Sequence, residues 1–286
     1  MQKEKIFELI EESQYLTELP KDMSQILDMI SNPINVDIDE LIDKISKSSE
    51  LHSLILKKIN SGYFKLNKEI KTIKEAVVFL GMQTVQNLMI FFMTLQVFPG
   101  ATNKDERTFN MNKYWKHVLG TSVASCMLAS RLKKGDIYKL FTYGLIHDIG
   151  IIVLDNCLPN LLDEITEKLL NGVHQLVAER IVLGGMTHAE LGAWLCRKWN
   201  IREDIIKIVE LHHTPFIAKT NEDVKLMYAA DVISTDYYAS LLGINQNHNI
   251  NNKVMESLGL TKEDIQAVIK AFPEELEKVT HYFSVY

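Results

Sequence analysis

The chain has 286 residues but only three cysteines, too few and too scattered for a disulfide framework or a thiolate metal site. Cys126, Cys157 and Cys196 form no CxxC pair, and each lies among apolar residues. This usage fits the reducing cytosol, so we predict a cytoplasmic protein. The N-terminus lacks the basic head and apolar stretch of a secretory signal. The apolar-rich run at 88–98 is too short to span a bilayer, so we expect no membrane partner.

Positive charge is also scarce. Lysine and arginine number 31 against 37 aspartates and glutamates, which gives a net charge of −6. Nucleic-acid-binding domains usually carry a basic patch, and no run of Lys or Arg forms one here. We therefore expect no nucleic-acid partner, and the same charge disfavours a phosphate-rich substrate.

Alternating strand patterns are missing as well, whereas helical periodicity is present almost throughout. We predict an all-α, multi-helical bundle in which 82–97, apolar on nearly all sides, is a central buried helix. Later helices are expected at 112–132 and 136–148, and the last one, from 261, should end before Pro273. The polar stretch 99–106 suggests a boundary, giving an N-terminal helical subdomain (1–98), a helical core (110–243) and a C-terminal tail (244–286).

Histidine is plentiful by comparison, with nine residues. His147 and Asp148 interrupt an apolar helix end, where unpaired polar side chains would cost several kcal/mol. His117 and Asp231 each stand in an apolar helical segment. Two imidazoles and two carboxylates from three helices are a plausible mixed nitrogen and oxygen site for a divalent metal such as Fe, Mn or Zn.

Three further histidines could complete a site for a second ion. His188 opens a predicted helix, and His212 and His213 end another. Two adjacent ions polarise a phosphoryl oxygen and lower the pKa of a bridging water. Spacing alone leaves an ordinary structural role open for each histidine.

The motifs that contain these histidines resemble one protein family. The segments are YWKH at 114–117, YGLIHDIG at 143–150, THAELGAWL at 187–195 and HHTP at 212–215, and AVVFLG at 76–81 agrees. Together they resemble the HDOD family, the HD-related output domains of bacterial signal-transduction proteins, over about 16–215. The resemblance implies an HD-like helical bundle related to metal-dependent HD phosphohydrolases.

The resemblance to metal-dependent HD phosphohydrolases implies that His117, His147, Asp148 and Asp231 hold the metal. The positions of His188, His212 and His213 are similar to extra ligands of the HD-GYP phosphodiesterases, which cleave cyclic di-GMP.

Two departures from the pattern of active HD phosphohydrolases argue against catalysis. Ile151 stands where active HD phosphohydrolases usually have a lysine, and no Gly-Tyr-Pro follows His213. Lys116 and Arg197 are the nearest cations in the motif segments.

These observations favour a non-catalytic signalling module, with no catalytic residue, that acts through protein–protein contacts and keeps a vestigial or regulatory metal site. The amphipathic segment 4–16 and the acidic tail would be its docking surfaces for a signalling partner. The alternative is a metal-dependent phosphohydrolase, such as a cyclic-dinucleotide phosphodiesterase, in which Asp148 orients the attacking water. Whether the chain forms a homodimer stays open.

Overall fold

The structure is a computed structural model that describes residues 3–13, 25–29, 38–60, 66, 68–98, 107–216, 221–241 and 249–282. Within these residues the regular structure is helical, as predicted, and no strand occurs. The helices are α1 (Lys3–Glu11), α2 (Ile38–Lys47), α3 (Ser49–Ile59), α4 (Ile73–Leu80), α5 (Met82–Val97), α6 (Met111–Leu132), α7 (Ile137–Ile146), α8 (Ile149–Cys157), α9 (Pro159–Leu170), α10 (Gln175–Val182), α11 (His188–Lys198), α12 (Glu203–Leu211), α13 (Glu222–Leu241), α14 (Asn252–Leu258) and α15 (Lys262–Tyr282), with a short helical segment at 25–29.

Helix α5 is the buried link between the N-terminal helices and the rest of the chain. Every residue from Thr84 to Thr94 is buried, which confirms the central helix predicted from its apolar pattern. It packs against α3 and α4 on one side and against α7 on the other. The predicted boundary at 99–106 lies outside the described residues, so the proposed division into subdomains stays a prediction.

The second half of the chain is organised around α6, which packs against α7, α13 and α15. Two glycines allow close helix crossings in this region. A Cβ at Gly144 would lie 2.5 Å from the Cα of Ser122 on α6, and one at Gly150 would lie 2.0 Å from the carbonyl oxygen of His188 on α11. Both contacts are with backbone atoms, so only glycine permits these distances. They bring α6, α7, α8 and α11 together beside residues 147 and 148.

Two predicted helix ends are wrong. The helix expected over 136–148 ends at Ile146, and a separate helix, α8, starts at Ile149 after a turn at residues 147–148. The last helix does not stop at Pro273 but continues to Tyr282. Proline has no N–H, so the carbonyl of Ile269, four residues earlier, loses its helical hydrogen bond. Ile269 is half-exposed, so solvent reaches this carbonyl. Leu276 and Val279, which follow the proline, are buried. Their burial offsets the lost hydrogen bond.

The apolar face of α1, expected to be a docking surface, is instead covered by the chain's own α11. Ile6 and Ile10 are fully buried, and the Phe7 ring lies 5.2 Å from the Trp194 ring. Lys3 also forms an ion pair of 3.2 Å with Glu190. Residues 14–16 of the predicted segment lie outside the described residues. This helix therefore does not offer a free apolar face.

One stretch, Ile137–Cys157, has the length and composition of a membrane span. It comprises α7 and α8, and 83% of its most apolar window is buried inside the protein. Such burial is typical of core helices in a water-soluble fold.

Candidate metal centre

The structure brings all seven sequence-predicted site residues into one cluster. His117 projects from α6, and Asp231 comes from the middle of α13. His147 and Asp148 occupy the turn between α7 and α8. The remaining three residues are His188, the first residue of α11, and His212 and His213, which follow α12. The cluster thus draws on six helices, which explains why the helix crossings at Gly144 and Gly150 matter for it.

Asp148 lies at the centre of the cluster. Its Oδ1 is 3.1 Å from His188 Nε2, 3.3 Å from His212 Nε2 and 3.5 Å from His147 Nε2. Its Oδ2 is 3.4 Å from His117 Nε2. Ligand atoms that share a transition-metal ion at about 2.0–2.2 Å lie roughly 3.0–3.6 Å apart. These distances suit a metal ion that Asp148 would hold together with the surrounding histidines.

The donor atoms fall into two groups that share Asp148. One group contains Asp148, His188, His212 and His213, and the other contains His117, His147 and Asp148; the ligand atoms within each group lie within 4.8 Å of one another. We call them the His188 subsite and the His117 subsite.

Asp231 borders both subsites. Its Oδ1 lies 3.2 Å from His117 Nε2, and its Oδ2 lies 3.3 Å from His213 Nδ1.

Three of the imidazoles are held from behind by their Nδ1 atoms. His147 Nδ1 is 2.7 Å from the carbonyl oxygen of Gly144, and His212 Nδ1 is 2.8 Å from that of Val209. His188 Nδ1 is 2.7 Å from Glu179 Oε1. When Nδ1–H donates to each of these oxygens, the Nε2 lone pair faces the cluster. This is the arrangement that orients metal-ligating histidines in proteins.

Two buried atoms support an ion at this position. His147 Nε2 and Asp148 Oδ1 are inaccessible to solvent, and neither makes a hydrogen bond of acceptable geometry. Their separation of 3.5 Å is too long for one. Buried polar atoms without partners cost free energy, and a cation between them would remove that cost. The residues present therefore fit a divalent metal.

The cluster also shifts the pKa values of its members. Burial opposes the charged form of His117, but Asp148 and Asp231 raise its pKa to about 10. Burial, together with the neighbouring His212 and His117, lowers the pKa of His147 to about 4 despite the nearby carboxylates. Without a metal, the protons of the cluster are thus unevenly distributed, and His117 holds one at neutral pH.

Cations that could bind a phosphate are not found in contact with the cluster. Within the described residues, no Lys or Arg forms an ion pair with any of the seven side chains. Arg197 instead pairs with Glu210 at 2.6 Å, and Lys116 is exposed. Only His117 and His213, with side chains about 20% and 19% exposed, give the cluster an edge toward solvent.

Sequence reasoning missed two residues that support the ligands. Glu179, fully buried on α10, accepts hydrogen bonds from both the ring and the backbone amide of His188. The Tyr114 hydroxyl donates to the carbonyl oxygen of Asp148 at 3.2 Å. In the sequence, Glu179 is one charge in an amphipathic helix, and nothing in that pattern distinguishes it from a surface residue.

Comparison with known proteins identifies the family. The HDOD domain matches residues 16–215 of this chain. The chain belongs to the HDOD family. The match covers α2–α12, so the HDOD region includes every residue of the cluster except Asp231.

The chain is also similar to one protein in sequence and to two solved structures in fold. An uncharacterized protein of Treponema pallidum (strain Nichols) is 29% identical over 202 residues, which are 69% of this chain and 37% of that protein. The chain thus spans little more than a third of that relative. A candidate phosphohydrolase from Shewanella amazonensis SB2B has a TM-score of 0.68 at 22% identity, with 97% of each chain covered. A candidate signal-transduction protein from Marinobacter aquaeolei VT8 has a TM-score of 0.72 at 17% identity, covering 97% of this chain and 64% of that one.

Proposed function

We propose that this HDOD protein is a cytoplasmic signal-transduction module in which a two-metal centre is a regulatory element and not a site of turnover. The observation that carries the proposal is the contrast within the cluster. Seven candidate ligand residues converge, and three of their imidazoles are held from behind, yet no Lys or Arg of the described residues forms an ion pair with any of the seven. Hydrolases of dianionic or cyclic dinucleotide substrates need such cations to bind phosphate.

In this proposal His117, His147, Asp148 and Asp231 hold one ion, and Asp148 with the three remaining histidines holds the second. Fe, Mn and Zn suit such mixed nitrogen and oxygen ligands. When bound, the ions neutralise the buried carboxylates and link six helices. Metal occupancy would then change how firmly those helices are held together.

Helix α10 offers a route from the centre to a protein partner. Its buried face carries Glu179, which holds His188, and its opposite face exposes Val177 and Ile181, which are 50% and 60% accessible. Exposed apolar side chains grouped on one face are typical of protein-interaction surfaces. This arrangement supports signalling through contacts with another protein. Whether the chain forms a homodimer stays open.

The experiment compares metal content with turnover. The protein is purified without chelator, loaded with Mn²⁺ or Fe²⁺, and assayed with bis(p-nitrophenyl) phosphate and cyclic di-GMP. We expect bound metal but no hydrolysis above that of Asp148→Asn. Metal-dependent hydrolysis that disappears in Asp148→Asn would contradict the non-catalytic role.

Metal-dependent hydrolysis would instead favour the second candidate function, a metal-dependent phosphohydrolase. The solvent-facing edge formed by His117 and His213 supports it, because a substrate could approach the cluster there. A bound ion would supply Lewis acidity and a water of lowered pKa. Asp148, which faces both subsites, would orient that water.

A further inference from the structure

Glu179 is a fully buried carboxylate beside the cluster that belongs to neither group of ligands. Its Oε1 accepts from His188 Nδ1 at 2.7 Å and from Gln175 Nε2 at 3.0 Å. Its Oε2 accepts from the backbone amide of His188 at 3.0 Å. Both oxygens are thus used, and two of the three bonds fix the position of one residue, His188.

His188 differs in this respect from the other two anchored histidines. His147 and His212 rest on neutral backbone carbonyls, whereas His188 rests on a charged carboxylate. Hydrogen bonds to ionised acceptors are roughly twice as strong as neutral ones. A carboxylate behind an imidazole also makes the opposite nitrogen a better metal donor.

Charge reinforces this difference. No Lys or Arg of the described residues forms an ion pair with Glu179, so its charge is compensated only through His188. A buried carboxylate without a cation is strongly unfavourable. A proton or a metal ion at His188 Nε2 compensates the negative charge of Glu179. Positive charge therefore stabilises the His188 subsite more than the His117 subsite.

The two subsites are also unequal in their ligands. The His188 subsite has three imidazoles and one carboxylate, whereas the His117 subsite has two imidazoles and, with Asp231, two carboxylates. We propose that Glu179 is a positioning residue that makes the His188 subsite the tighter of the two, so that the first ion bound occupies it. This inference rests on the proposed two-metal centre.

Co²⁺ is a suitable probe because its visible absorption reports ligand number and type. Metal-free protein is titrated with Co²⁺ by calorimetry and absorption, and retained metal is measured after desalting. We expect wild type to bind two ions in a tight and a weak step. His188→Ala should remove the tight step, and His147→Ala should weaken mainly the other.

In Glu179→Gln one acceptor oxygen becomes a donor group, so at least one bond to His188 is lost. Loss of such a supporting residue typically lowers metal affinity about 10–100-fold. We expect that loss in the tight step only, with the weak step unchanged. Glu164→Gln is the matched control, because Glu164 is half-exposed and pairs only with Lys168 on the surface. It should titrate as wild type does.

The outcomes separate the inference from the proposed function. A wild-type protein that binds no Co²⁺ would overturn the two-metal centre itself. Two steps in wild type and an unchanged tight step in folded Glu179→Gln would overturn only the role of Glu179. A first ion lost in His147→Ala but kept in His188→Ala would refute the order of loading. If circular dichroism shows that Glu179→Gln is unfolded, Glu179→Asp decides, since its shorter side chain must also weaken the tight step.

Discussion

Replacing Gly150 with alanine tests whether the helix crossing between α8 and α11 builds the cluster. The added Cβ would lie 2.0 Å from the carbonyl oxygen of His188, where ordinary contact begins at 3.4 Å. The neighbouring His188 carbonyl carbon and Gly192 nitrogen, at 2.8 and 2.9 Å, are backbone atoms too. Because no side chain can rotate away, the helices must separate by about 1.4 Å, the difference between those two distances.

That separation has two measurable consequences. Overpacking costs about 1–3 kcal/mol, and alanine regains about 1 kcal/mol of helix propensity. With the clash at the upper end of that range, we expect a net loss of about 2 kcal/mol in the free energy of unfolding. In addition, metal sites tolerate displacements of only about 0.2 Å. His188, displaced with α11, should therefore stop binding metal beside Asp148.

The assay is urea unfolding of metal-free protein, together with metal content after loading. Gly192→Ala provides the comparison: its Cβ would meet the Val209 side chain, which can shift, at 2.8 Å, and the backbone nitrogen of Gly150 at 2.9 Å, a milder clash than the 2.0 Å at Gly150. We expect a smaller loss of stability there. A Gly150→Ala protein with wild-type stability and full metal content would refute the reasoning.

Two further predictions concern protons and a buried ion pair. In metal-free protein the pKa of His117 is about 10, and that of His188 is raised well above its usual value because Glu179 and Asp148 outweigh burial. His117 is therefore protonated near pH 7, so metal binding should release a proton and tighten as pH rises from about 6 to about 8. Calorimetry in two buffers of different ionisation enthalpy measures this release, and no release would contradict metal binding at His117. Separately, Arg202→Ala should cost about 2 kcal/mol in urea unfolding, because its nearly buried guanidinium pairs with Asp204 at 2.9 Å and donates to the buried Gln86 and Asn87. The exposed pair of Arg131 with Asp264 should contribute much less, so equal losses in Arg202→Ala and Arg131→Ala would contradict this view.

The members of the cluster could be singled out from the sequence because they break local patterns. His147, Asp148 and Asp231 are polar residues in segments that are otherwise apolar, and such residues need partners when buried. In the structure both carboxylates lie within 4 Å of His147 Nε2. The helical class followed similarly from periodicity, since the apolar spacing is helical in nearly every segment.

The missed features lack such a signal. Glu179 stands next to Arg180, the only other charged residue of α10, and the sequence does not show which of the two is buried, because that depends on where α10 packs. The apolar residues on both sides of His147 and Asp148 fit one helix as well as two, so the turn at residues 147–148 could not be located from the sequence. At Pro273 the local rule predicted an end, but tertiary burial of Leu276 and Val279 outweighed it.

Metal content is the measurement that tests the two-metal centre most directly. Protein expressed in medium supplemented with Fe²⁺, Mn²⁺ or Zn²⁺ and purified without chelator is analysed by elemental mass spectrometry, beside Asp148→Ala. We expect two ions per wild-type chain and at most one in the variant, because Asp148 belongs to both subsites. Wild-type protein that contains no stoichiometric metal, and takes up none when it is added, would contradict the account.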